Sequence, residues 1–138
     1  MKINRKEIYD KLDGHCAYCG EEIDFKEMQV DHIVPKDNFP TRIRNSFKIP
    51  DFLSHLTEND LNHIDNLHPA CRVCNKWKSC FDLEFFRSEI KEQPKRLMKR
   101  SAPFRMAGKY GLVLVPSPVP IVFYFEERLN EWSDIPLV

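Results

Sequence analysis

Gly14-His15-Cys16-Ala17-Tyr18-Cys19-Gly20 and Cys71-Arg72-Val73-Cys74-Asn75 share one spacing, two cysteines separated by two residues. Each pair can offer two sulfurs to one ion about 2.3 Å away, and four thiolates complete the tetrahedron of a closed zinc site. A redox dithiol and coincidence are the competing readings. Two identical spacings, the first closed by Gly20 with the permissive backbone a tight metal turn needs, argue against coincidence. The stretch between the pairs is far longer than in a compact zinc finger, so the ion must staple distant segments. Structural zinc contributes roughly 10–16 kcal/mol of apparent binding energy in small peptides, comparable to a domain's whole stability. Four sulfurs fill the tetrahedron, which leaves His15 as a surface or supporting residue. The fifth cysteine, Cys80, reads as a small buried hydrophobe.

The chain has 138 residues, 42% of them hydrophobic, enough for one domain with a modest core. No apolar run approaches the roughly 20 residues of a membrane span, and the polar start Met1 to Glu7 lacks the apolar stretch of a signal peptide. Paired cysteines in a chain of this kind fit the reducing cytoplasm, where they mean metal and not disulfides. Net charge is zero, with 21 basic and 21 acidic side chains, but the charge is unevenly spread. Arg87 to Lys109 carries eight basic residues against two acidic ones. Such a stretch is either an electrostatic footprint for phosphate or a solvated helix face.

Periodicity places a short helix over Asn4 to Leu12, stopped by Gly14, and a strand over Met28 to Val34 ending at Pro35. Residues 36–50 read as loop. Asp51 to Asn59 reads as a short helix capped by Asp51, with Phe52, Leu53 and Leu56 buried. A helix is expected from Asn75 to Gln93, with Pro94 ending the pattern or beginning the next segment, and with Trp77, Phe81, Phe85 and Phe86 in the core. Another short helix is expected around Pro103 to Tyr110. Leu112–Val115 and Ile121–Phe125 have strand composition and suggest a hairpin around a proline-rich turn.

Between the cysteine pairs stand Val30-Asp31-His32-Ile33-Val34-Pro35 and Asn66-Leu67, and the second pair runs into Asn75-Lys76-Trp77-Lys78. Taken in order from Asp13 to Lys78, these three blocks resemble the HNH endonuclease family. The resemblance implies an α+β fold: a ββα-metal, treble-clef-like core stapled by a zinc ion on four cysteines. Residues 1–93 would form that core with an insertion at about 36–63, and 94–138 a basic helix and β-hairpin packed on it.

The resemblance also implies roles. His32 matches the general base, a task suited to an imidazole, whose ordinary pKa lies near 6.5. Asp31 and Asn75 match the ligands of a catalytic divalent ion, Mg²⁺ or Mn²⁺, which prefers hard oxygen donors and keeps sites for water and phosphate. Such an ion polarises a phosphoryl oxygen and stabilises the departing 3′ oxygen. Asn66 matches the middle family residue, which bonds the backbone and keeps the base oriented; a plain turn residue is its other meaning. In a regular strand Asp31 and His32 point to opposite faces, so joint service to one phosphate requires an irregular turn around Asp31.

Two features depart from the family. Asn75 stands where His is frequent, and the 36–63 insertion is long. Arg42 and Arg44, with Lys48, make that insertion one candidate DNA surface. Lys76 and Lys78 at the helix start are another, and Lys95, Arg96, Lys99 and Arg100 a third. His55, His63 and His68 fall outside the matched positions, with His68 nearest the site. The expectation is a metal-dependent endonuclease acting on double-stranded DNA and leaving 5′-phosphate and 3′-hydroxyl ends. Its rivals are a catalytically silent zinc-dependent module that binds nucleic acid or protein, and a toxin-like nuclease held by an immunity partner.

Overall fold

The computed structural model describes residues 2–35, 47–114 and 119–133, and they are mixed α and β. Among the described residues there are five α-helices: α1 (Arg5–Lys11), α2 (Arg72–Lys78), α3 (Leu83–Arg100), α4 (Ala102–Lys109) and α5 (Tyr124–Ser133). One two-stranded antiparallel sheet pairs β1 (Gln29–His32) with β2 (Leu67–Ala70). Contacts divide the chain into Met1–Leu83 with Val122–Val138, and Glu84–Ile121. The chain leaves the first of these units after Leu83 and returns to it at Val122.

α1 begins where expected. The Asn4 side chain accepts the Glu7 amide at 3.2 Å, satisfying one of the donors a helix start leaves open. Its buried Ile8 packs with Met28 and Leu67, and Ile3, Tyr9, Ile23, Val30 and Ile64 surround them. That cluster joins α1 to both strands. Arg5 ties the chain before β1 to the same helix by donating to the carbonyls of Phe25 and Met28.

The first cysteine knuckle docks on β2, where the Ala17 amide donates to the Pro69 carbonyl at 2.9 Å. Gly20 closes the knuckle at φ +77°, and a Cβ there would meet the Tyr124 ring at 3.0 Å. Glycine is thus required twice at this position, for conformation and for space. The start of α5 then hangs on the knuckle: Tyr124 N–H donates to Tyr18 O and Phe125 N–H to Ala17 O. Phe123 and Phe125 present their rings edge-on to Tyr18 at 5.2 and 6.1 Å.

Several expected elements differ. Asp51–Leu53 and Glu58–Asp60 are single 3₁₀ turns, not one helix, and Asp51 makes no capping bond. Leu53 and Leu56 are buried, but Phe52 is 41% exposed, its ring tilted against Phe125. The helix expected over 75–93 is broken, because Ser79 turns to φ +50° and α3 starts afresh at Leu83. α3 then runs through Pro94 instead of ending there. Arg96 and Glu89, paired at 2.8 and 3.1 Å, bridge the turn whose backbone bond the proline removes. Of the four aromatics assigned to the core only Phe86 is buried; Trp77, Phe81 and Phe85 are exposed, as is Cys80.

The C-terminal hairpin is not formed among the described residues. Tyr124 and Phe125 open a helix, with the Phe123 amide donating to the Glu126 side chain at 2.9 Å. Residues 115–118 of the suggested hairpin lie outside the described residues, as do Arg42 and Arg44. α4 is the short helix expected, with Ser101 Oγ accepting from the Phe104 amide at 3.2 Å.

Candidate functional site

Cys16, Cys19, Cys71 and Cys74 converge, with all four sulfurs within 4.8 Å of one another. Sulfurs about 2.3 Å from a common ion at tetrahedral angles lie about 3.8 Å apart. The Cys19 and Cys71 sulfurs are 3.9 Å apart. Cys71 also caps α2, its sulfur accepting from the Cys74 amide at 3.4 Å. Charge within the cluster is unevenly held. A hydrogen bond from Cys74 brings the Cys16 thiol down to about 4, while burial pushes Cys19 up to about 11. Cys74 is pushed up too, by the bond it donates to Cys16 and by burial. A divalent cation at the centre of such a cluster would favour the thiolate form of its ligands. The four cysteines form a possible metal-binding site compatible with structural zinc.

The strand between the knuckles carries the remaining expected residues. Register pairs Asp31 with His68 and His32 with Leu67, an unbroken ladder from Gln29 onward. The irregular turn expected at Asp31 is therefore absent, and the chain bends only at Ile33 and Val34. Consequently Asp31 is buried while His32 stays half-exposed, on the opposite face of the strand.

Asp31 is enclosed by partners. Tyr18 Oη donates to its Oδ2, and Lys78 Nζ donates to Oδ1 at 3.2 Å. Lys78 is 0% exposed and also reaches the carbonyls of His32 and Ile33, at 3.2 and 3.5 Å. This corrects the expectation of Lys78 as a phosphate contact; Lys76, two residues before it, remains exposed. Burial and the neighbouring Asp31 charge push the Tyr18 phenol well above its ordinary range, so it donates. Tyr18 in turn accepts from His68 Nδ1 at 3.3 Å. Burial, and then the charges of Lys11 and Lys78, hold the His68 imidazole well below its usual value and neutral.

The divalent ion implied by the resemblance fits this arrangement poorly. Both Asp31 oxygens already accept hydrogen bonds, and the buried ammonium of Lys78 balances the carboxylate charge. Asn75 is half-buried on α2, one turn before Lys78 and hence on the same helical face.

His32 is held from another direction. Its Nε2 lies 2.8 Å from Asn62 Oδ1. An amide oxygen only accepts, so the contact is a hydrogen bond when Nε2 carries the proton, the tautomer that leaves a lone pair on Nδ1. Asn66 lies beneath, fully buried. Its Oδ1 accepts from Val34 N–H at 2.8 Å, while its Nδ2 donates to Val34 O and Leu61 O at 3.0 and 2.9 Å. This one amide clamps the backbone two residues past His32 to the turn that carries Asn62. Bonding to the backbone is what was expected of Asn66. Asn62, Tyr18 and the burial of Lys78 were not anticipated. Asn62 sits in the insertion outside any motif, and lysine is a surface residue by default.

Of the basic stretch, Lys95, Lys99 and Arg100 are exposed and form no ion pair among the described residues, whereas Arg96 is spent on Glu89. Arg105 donates to the carbonyls of Met98 and Lys99. No helix among the described residues is long and apolar enough to cross a membrane. Compared with protein-family models, curated proteins and solved structures, the chain matches none.

Proposed function

We propose that this chain is a DNA endonuclease of the HNH type, with zinc on Cys16, Cys19, Cys71 and Cys74 holding its ββα-like core. The observation that carries the reading is the anchored imidazole of His32, which has an acceptor on Nε2–H and so a lone pair on Nδ1. The step it supports is general-base hydrolysis. Water gives its proton to Nδ1, the new oxygen–phosphorus bond forms, and the phosphorus–O3′ bond breaks. The 3′ oxygen leaves with the electron pair and takes a proton from solvent, giving 5′-phosphate and 3′-hydroxyl ends. A positioned base contributes about 10²–10⁴ in rate. Lys95, Lys99 and Arg100 are the exposed cations proposed to meet duplex phosphate. Mg²⁺ or Mn²⁺ held by Asp31 and Asn75 would first have to displace Lys78 and Tyr18 from the carboxylate, and no step above is routed through it.

One observation favours a second reading, a catalytically silent zinc module that docks nucleic acid or protein: Asp31 is closed in by Lys78 and Tyr18. Zinc-loaded protein incubated with supercoiled plasmid in Mg²⁺ or Mn²⁺, and again with EDTA, separates the two. The nuclease reading expects nicked or linear product bearing 5′-phosphates, abolished by EDTA. Intact plasmid in every lane, with retarded DNA on a native gel, supports the silent module instead.

A further inference from the structure

We propose that Asn62, from the insertion between the motif blocks, is the positioning residue that sets the tautomer of His32; the catalytic part of this rests on the reading of His32 as base. Three observations carry it. Asn62 Oδ1 and His32 Nε2 are 2.8 Å apart. The Asn62 turn is fixed to the backbone after His32 through Asn66, which binds Val34 and Leu61 at once. His32 ends β1, and its neighbour Ile33 donates to the Asn66 carbonyl at 2.9 Å, so ring and acceptor share one rigid support.

The chemical consequence is specific. Neutral histidine exists as two tautomers, and only the one protonated on Nε2 has a basic Nδ1. An acceptor-only oxygen on Nε2 selects that tautomer. The bond also persists, and strengthens, when Nδ1 takes up the proton and the ring becomes cationic. Lys78 Nζ lies at the His32 carbonyl, not at this nitrogen. The insertion thus supplies the support for the base, and its length has a purpose besides contacting DNA.

The test uses zinc-loaded protein with ¹⁵N-labelled histidine, in the parent, Asn62→Ala and Asn62→Asp. Ring ¹⁵N shifts at a pH above 7 should show the Nε2–H tautomer of His32 in the parent and in Asn62→Asp, which keeps an acceptor oxygen. Asn62→Ala should show a mixture. In plasmid cleavage, Asn62→Ala should lower kcat by about 10–100-fold with KM little changed, and Asn62→Asp should lie nearer the parent. Zinc content and thermal unfolding should match across the three proteins. A parent ring protonated on Nδ1, or an Asn62→Ala variant with unchanged tautomer and kcat, overturns the proposal. A parent with the Nε2–H tautomer that cuts no DNA overturns the nuclease reading and the catalytic role, while confirming the contact.

Discussion

Lys78→Met should destabilise the protein more than any surface lysine could. In the parent, Nζ is fully buried against Asp31 Oδ1 at 3.2 Å and the carbonyls of His32 and Ile33. Methionine roughly preserves the volume of the stem and deletes the charge. That leaves the Asp31 carboxylate, 3% exposed, with Tyr18 as its remaining donor and no balancing cation. Removing one partner of a buried pair costs roughly 3–5 kcal/mol, a fifth or more of the 5–15 kcal/mol that holds a typical domain together. With a urea slope of about 2 kcal/mol per molar, the unfolding midpoint should fall by about 2 M. The second arm of the cycle is Asp31→Leu with Lys78→Met. Exchanging both charges for apolar groups removes the desolvation cost together with the attraction but strands the buried Tyr18 hydroxyl, so part of the loss should be recovered. The measurement is urea unfolding of zinc-loaded proteins followed by tryptophan fluorescence and by far-UV circular dichroism. A single variant within about 1 kcal/mol of the parent, or a double variant no better than the single, would refute a buried Asp31–Lys78 pair.

Two further outcomes follow from the same geometry. Replacing any one of Cys16, Cys19, Cys71 or Cys74 by Ser should abolish stoichiometric zinc binding and cooperative unfolding, because the cluster joins the first knuckle to α2; metal analysis of the parent should give one zinc per chain. His68 gives a pH dependence of definite sign: its folded-state pKa is depressed well below 6.5, so below about pH 6.5 the unfolded chain binds a proton that the folded one refuses. Stability should therefore fall with acidification from about pH 6.5 downward, by up to about 1.4 kcal/mol per pH unit, and a His68→Gln variant should lose that part of the slope.

The cysteine spacing was legible because metal chelation is local: two cysteines separated by two residues dictate a knuckle whatever surrounds it. The Asn4 start of α1 is legible for a similar reason, since a cap acts over three residues. What escaped depends on long-range packing. Ile121 to Phe125 has strand composition, yet Phe123 and Phe125 are drawn onto Tyr18, and α5 starts there instead. Pro94 reads as a helix boundary, yet α3 runs through it from Leu83 to Arg100. Lys78 reads as surface because nothing in its neighbours signals that Asp31, 47 positions away in the chain, will be buried opposite it. Asn66 was identifiable from its block, whereas Asn62 became visible only through the distance to His32.

The most direct test of the central claim compares His32→Ala with the parent in plasmid cleavage, under excess enzyme and saturating Mg²⁺ or Mn²⁺, with zinc content measured on the same samples. The account predicts equal zinc, equal thermal unfolding within a few degrees, and a cleavage rate lower by about 100-fold or more in the variant. A His32→Ala protein that retains its zinc and cuts at the parental rate would contradict the assignment of His32 as the base.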